Sequence, residues 1–166
     1  MLERLTDCAR LRVWKEDDFK LSHDSLRQVQ VAERLDSLLQ TDLPYGDWES
    51  SVQVDIFVFD EESRWLKAYN VKRGNGSYDA KKRRIIQEEI VRTHMLLSDY
   101  GRNAGLSPQN SCAQIIFYYG LLSLPAPFAI SGKDLDEHFQ FPVCDAMEYI
   151  NSYFKARLSA LIEQED

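Results

Sequence analysis

The chain has 166 residues, 44% of them hydrophobic and 28% charged, an ordinary balance for one domain that buries a core without disulfide or metal staples. No apolar run approaches membrane-spanning length, and the charged start Met1-Leu2-Glu3-Arg4-Leu5 lacks the core of a secretory signal, so no membrane partner is expected. A net charge of −7 argues against indiscriminate nucleic-acid binding. The three cysteines, Cys8, Cys112 and Cys144, show neither zinc spacing nor a redox pair, which points to reduced thiols and a cytoplasmic location.

In chain order, residues 1–20 predict a packed N-terminal arm carrying Leu2, Leu5, Leu11, Val13 and Trp14. A helix is predicted from Ser22 to Gln40, with Val31, Leu35, Leu38 and Leu39 as its apolar stripe and Pro44 and Gly46 beyond its end. At about 100° per residue, Glu33 falls well away from that stripe.

Two runs rich in β-branched and aromatic residues follow, Val52 to Phe59 and Trp65 to Gly74, with Asp60-Glu61-Glu62-Ser63 as polar turn material between them. They predict a hairpin. Strict alternation sets Val52, Val54, Ile56 and Val58 on one face and Gln53, Asp55, Phe57 and Phe59 on the other. A turn centred on Glu61 and Glu62 sets Asp55 opposite Ala68, with Asn70 diagonal to Asp55 and Lys72 further along the same face. An acid, a second oxygen donor and an ammonium so placed are the parts of a metal-assisted site for phosphodiester cleavage. An Asp amid Val54, Ile56, Phe57 and Val58 is costly to bury without a cation or donors, and a salt bridge to Lys72 or another base is the plainer alternative. Gln53, two residues before Asp55 on that face, offers a further donor or oxygen.

Asp55, fourteen intervening residues and then Asn70-Val71-Lys72 form a pattern that resembles the motif of the PD-(D/E)xK nuclease superfamily, which includes many restriction and repair enzymes. The resemblance implies an α/β (α+β) fold of restriction-endonuclease type, a central mixed β-sheet that includes the motif hairpin and is flanked by helices. It also implies Mg²⁺ or Mn²⁺ held by Asp55 and Asn70, with Lys72 assisting the attacking water. Asp55, Asn70 and Lys72 are then the catalytic candidates and DNA is the expected partner. Val54 stands where the family often has Pro, and Asn70 stands where the family has its second acid. An amide oxygen carries no charge, and Mg²⁺ favours charged oxygens. Two readings follow, an active metal-dependent nuclease and an inactive nuclease-fold module that binds nucleic acid or a protein.

Gly74-Asn75-Gly76 breaks the chain, and Ser77 or Asp79 is positioned to cap a long helix ending at Gly101, with Ile86, Ile90, Leu97 and Tyr100 on its buried side. Lys81, Lys82, Arg83 and Arg84 crowd the first turns of that helix, against the macrodipole preference for acids. With Arg73 they are the candidate nucleic-acid contacts, inside a basic stretch that runs from Lys67 to Arg92 on an otherwise acidic chain. A solvated helix start is the alternative. Ala113 to Tyr119 reads as a buried strand, reached by a crossover and therefore parallel to its neighbour.

Beyond the apolar loop Leu121 to Phe128, a short helix capped by Ser131 precedes a long one from Pro142 to Glu163. Val143, Met147, Ile150, Phe154, Leu158 and Leu161 recur on it at near-heptad spacing. The stripe is expected to pack on the sheet, with a homodimer or protein-partner interface as the alternative. The whole is read as one domain, 1–166, comprising the arm 1–20, a core over 22–120 and a C-terminal helical extension 121–166. His23, His94 and His138 are isolated and expected to be structural or exposed.

Overall fold

A computed structural model describes residues 1–73, 78–119 and 122–162. A short helix α1 (Leu2–Thr6) leads into strand β1 (Leu11–Leu21) and helix α2 (His23–Val31), which is followed by a 3-10 helix over Leu35–Gln40. The hairpin strands are β2 (Ser50–Asp60) and β3 (Trp65–Lys72). Then come the long helix α3 (Ala80–Asn103), β4 (Asn110–Phe117), β5 (Ala129–Ser131), α4 (Leu135–Phe139) and α5 (Cys144–Ile162).

The five strands form one mixed sheet in the order β1-β2-β3-β4-β5. Strand β2 runs antiparallel to both β1 and β3, while β3 with β4 and β4 with β5 run parallel. The expected α/β class, a mixed sheet that includes the hairpin and is flanked by helices, is therefore what the chain adopts. Helix α3 is the crossover between β3 and its parallel neighbour β4. Asp79 caps it by accepting the Lys82 N–H at 2.8 Å, as its position predicts.

Three expectations about local structure are corrected. The segment expected as an arm supplies α1 and the edge strand β1, which pairs along β2 from Leu11 opposite Asp60 to Leu21 opposite Ser50. The helix expected to run to Gln40 stops at Val31, because Ala32 takes an extended backbone, and Val31 is left 79% exposed. Glu33 falls in the exposed bend that follows. Lastly, the C-terminal stripe reaches the core only through Val143 and Met147. Ile150, Phe154, Leu158 and Leu161 are exposed, Phe154 by 68%. Leu5 of α1 and Leu135 and Phe139 of α4 pack with Met147 on that layer, so α5 has its first turn on the body.

Two apolar layers sandwich the sheet. Under α3 lie Phe19, Val54, Phe57, Phe59, Leu66, Ala68, Ile90, Leu97 and Ile115, joined by Leu124 and Phe128 from the apolar loop. On the other side Ile56, Val58, Tyr69 and Ile116 meet α1, α4 and the start of α5. Gly132 fits only because it has no side chain, since a Cβ there would stand 2.4 Å from the Tyr118 carbonyl oxygen.

Candidate functional site

The hairpin pairs Phe57 with Ala68 and Ile56 with Tyr69, a register centred one residue later than the expected turn. Carried one residue further, that register sets Asp55 directly opposite Asn70 rather than diagonal to it. The change follows from the turn. Asp60 Oδ1 accepts the N–H groups of Glu62 and Ser63, so the chain reverses about Glu62 and Ser63.

Strict alternation also fails along β2. Trp14 pairs with Phe57 and Glu16 with Val54, so Lys15 alone faces both Asp55 and Ile56, which is a β-bulge on β2. A second irregularity of opposite sense follows, where Asp17 and Asp18 face Gln53. Across the bulge the faces exchange. Val54 joins Phe57 and Phe59 under α3, while Ile56 and Val58 take the other layer. The expected single valine–isoleucine face is thereby corrected, and Asp55 stands at the switch.

There the side chains replace the ladder. Asn70 Oδ1 accepts the Asp55 N–H at 3.3 Å, and Asp55 Oδ2 accepts the Val71 N–H at 2.8 Å. Backbone N–H groups of a sheet lie in its plane, so both side chains reach across the gap between strands. Gln53 Nε2 donates to Asp55 Oδ1 at 3.0 Å, the donor role its position suggested.

Asp55, Val71, Lys72, Arg73 and Tyr78 line an open cavity of about 620 Å³, together with Ile56, Met147 and the first residues of the chain. The structure therefore brings Asp55, Lys72 and Arg73 together. Asn70 buttresses them from behind, bordering a small space under Ile90 and Thr93 of α3. Lys82 lies with its ammonium 4.7 Å from the centre of the Tyr78 ring, so the cationic start of α3 adjoins the same cavity. Lys81, Lys82, Arg83 and Arg84 are all exposed, and Arg84 pairs with Glu88 at 2.6 Å.

The basic stretch loses two expected members. Lys67 faces the layer opposite α3. Arg92 is buried, donating to Ser25 Oγ, the Ser22 carbonyl and Glu49 Oε2, the last at 2.8 Å. That pair also places Glu49 away from Asp55. Sequence reasoning missed Glu89, half-buried on α3. Burial raises its pKa, while Lys72 and Arg92 pull it down, so an acid lies within electrostatic reach of Lys72. Its signal was available, since Glu89 sits three residues after Ile86 and next to Ile90 on the helix.

The cavity offers one charged oxygen donor, Asp55, while Asn70 borders the α3-side space instead and its Oδ1 is engaged by the Asp55 N–H. Among the described residues no group of three or more His, Cys, Asp or Glu side chains converges as a metal cage. A Mg²⁺ ion is commonly held by one or two carboxylates plus substrate phosphate, and Asp55 supplies one such carboxylate at the cavity. Comparisons with protein-family models, curated proteins and solved structures find no match to the chain.

Proposed function

We propose that the chain is a nuclease-like protein of the PD-(D/E)xK type, cleaving phosphodiester bonds in DNA with Mg²⁺ or Mn²⁺. The observation that carries this reading is the opening of Asp55, Lys72 and Arg73 onto one cavity beside the cationic start of α3. Lys81, Lys82, Arg83 and Arg84 hold the phosphate backbone by charge, independent of sequence. Asp55 would hold the cation at the cavity, and Asn70, which borders the space on the α3 side, would join it only by turning its amide oxygen from the Asp55 N–H. When bound, the cation relieves charge on the phosphate and activates water. Lys72 orients the attacking water or a phosphate oxygen, and Gln53 and the Val71 N–H fix the Asp55 carboxylate.

With Asp55 as the single charged donor, the site alone would hold a cation weakly, and a DNA phosphate would have to supply the further oxygens. Incubation of plasmid and single-stranded DNA with either metal tests this, with Asp55→Asn and Lys72→Ala alongside. Cleavage by the parent and none by either variant is expected, and cleavage that survives both substitutions rejects the site.

One observation favours a second reading, a non-catalytic module that binds nucleic acid. The Asn70 side chain, where the resemblance calls for an acid, is spent on the Asp55 backbone. That reading predicts salt-sensitive binding through the α3 cations and no cleavage with any metal.

A further inference from the structure

On the layer of the sheet opposite α3, at the turn end of the hairpin, lies a second cavity of about 210 Å³. Its floor is built in rows across the strands. Leu11, Asp60 and Trp65 form one row, and Val58 with Lys67 forms the next. His138, Phe139 and Gln140 at the end of α4 form its roof, while Arg10 and Ser63 close the side.

The charges on this wall do not balance. Arg10 donates from Nη2 to the Phe139 carbonyl at 2.7 Å, but its Nε is buried without a hydrogen-bond partner, 3.5 Å from Asp60 Oδ2. Asp60 is held by its own turn through Oδ1 and faces Arg10 with its other oxygen. Lys67 is half-buried on the central strand β3, its Nζ 5.7 Å from the centre of the Trp65 ring. Among the described residues Lys67 makes no ion pair. Two cations thus share one acid in a partly desolvated space, an arrangement that costs free energy until an anion enters.

Tyr69 is fully buried, and its hydroxyl lies 2.6 Å from His138 Nε2. Burial raises the Tyr69 pKa well above its usual value, so the phenol keeps its proton and the pair is a neutral hydrogen bond. Burial and the nearby Lys67 lower the His138 pKa to about 4, so the imidazole stays neutral near pH 7.

We propose that this cavity binds a small oxyanion, a phosphate or carboxylate group, between Arg10 and Lys67, with the Ser63 hydroxyl and the neutral His138 ring lining its seat. Its size and its roof of α4 residues admit a small molecule and exclude a nucleic-acid strand. It is separate from the Asp55 cavity and does not depend on how that cavity functions.

The test uses the full chain. Thermal unfolding and calorimetry are run with inorganic phosphate and with acetate, each against chloride at equal ionic strength. A saturable rise in Tm with at least one oxyanion is expected in the parent, and the stronger of the two identifies the group the cavity takes. Lys67→Met should abolish the rise, and without oxyanion it should be at least as stable as the parent, because an unpaired cation has been removed. A variant with Lys81, Lys82, Arg83 and Arg84 all changed to Ala should keep the rise. The proposal is overturned if neither anion outperforms chloride, if Lys67→Met responds like the parent, or if the four-fold variant loses the response. Should Lys67→Met fail to fold, the parent still decides. Its His138 ring-nitrogen resonances must shift on oxyanion addition, and unmoved resonances overturn the assignment.

Discussion

Asp55 and Asn70 clasp the hairpin where its ladder stops, each side chain bonding to the backbone of the opposite strand, at 3.3 Å for Asp55 N–H to Asn70 Oδ1 and 2.8 Å for Val71 N–H to Asp55 Oδ2. The β2–β3 ladder ends with Ile56 opposite Tyr69, and beyond it the two side chains satisfy the Asp55 and Val71 N–H groups. The same clasp fixes one carboxylate at the rim of a cavity shared with Lys72 and Arg73. Structural and chemical roles therefore overlap at Asp55, and substitutions must be chosen to separate them.

Asp55→Ala leaves the Val71 N–H and the Gln53 amide without an acceptor, a loss of about 1–3 kcal/mol. Asp55→Asn retains an oxygen for the Val71 N–H and should stay within about 1 kcal/mol of the parent. Both variants should lose metal-dependent cleavage. Urea unfolding beside a plasmid-nicking assay checks this pair. An Asp55→Asn protein that unfolds like the parent yet still cleaves would remove Asp55 from the chemistry.

Asn70→Asp keeps an acceptor for the Asp55 N–H and adds a second charge across the strand. Like charges directly opposed on a sheet cost about 0.2–1 kcal/mol, so Tm should fall slightly in chelator. Mg²⁺ or Mn²⁺ should then restore it and raise cleavage above the parent, because two carboxylates hold such a cation better than one. A Tm that ignores both metals would favour the non-catalytic module.

Part of the fold around this site was legible in the sequence. Asp55, the β3 strand carrying Asn70 and Lys72, the α3 cap and the parallel β4 all follow from residue type and spacing. The bulge was not legible, since Val52-Gln53-Val54-Asp55-Ile56 reads as uninterrupted alternation. Only pairing with β1, through Trp14 opposite Phe57 and Glu16 opposite Val54, reveals the extra residue. The turn register also depended on Asp60 capping Glu62 and Ser63, a side-chain choice among several polar residues. Arg92 looked like part of a basic surface because charge alone does not distinguish a solvated arginine from one clamped by Ser22, Ser25 and Glu49. His138 looked isolated because its partner Tyr69 lies on strand β3, far off in sequence.

His138 should make stability depend on pH. Its pKa in the fold, about 4, lies below the ordinary value of 6.5, so between these values the unfolded chain takes up a proton that the folded chain refuses. Stability therefore rises with pH across that window and is lost as pH falls from 6.5 toward 4. The full difference corresponds to about 3 kcal/mol, and the partial solvent contact of the ring reduces it to about 1–2 kcal/mol. His138→Gln should flatten the profile in part, leaving the smaller contribution of His94, whose pKa burial also lowers. Denaturant midpoints measured every half pH unit in oxyanion-free buffer would show it, and identical slopes in parent and variant would contradict it.

Helix α5 offers a contrast within one element. Met147 is 6% exposed and packs with Leu5, Leu135 and Phe139, so Met147→Ala should cost about 2–5 kcal/mol. Phe154, two turns on, touches no core cluster and is 68% exposed. In a monomer, Phe154→Ala should therefore change stability by less than about 0.5 kcal/mol, with alanine's helix propensity offsetting whatever contact is lost. A partner bound over the exposed stripe would change that outcome in a recognisable way. If a second copy covers it, Phe154→Ala lowers Tm, and the parent's Tm rises with protein concentration while the variant's does not. Unfolding curves of both proteins at low and high concentration separate the two cases. A concentration-independent loss at Phe154 as large as that at Met147 would mean that the distal turns of α5 pack on their own chain.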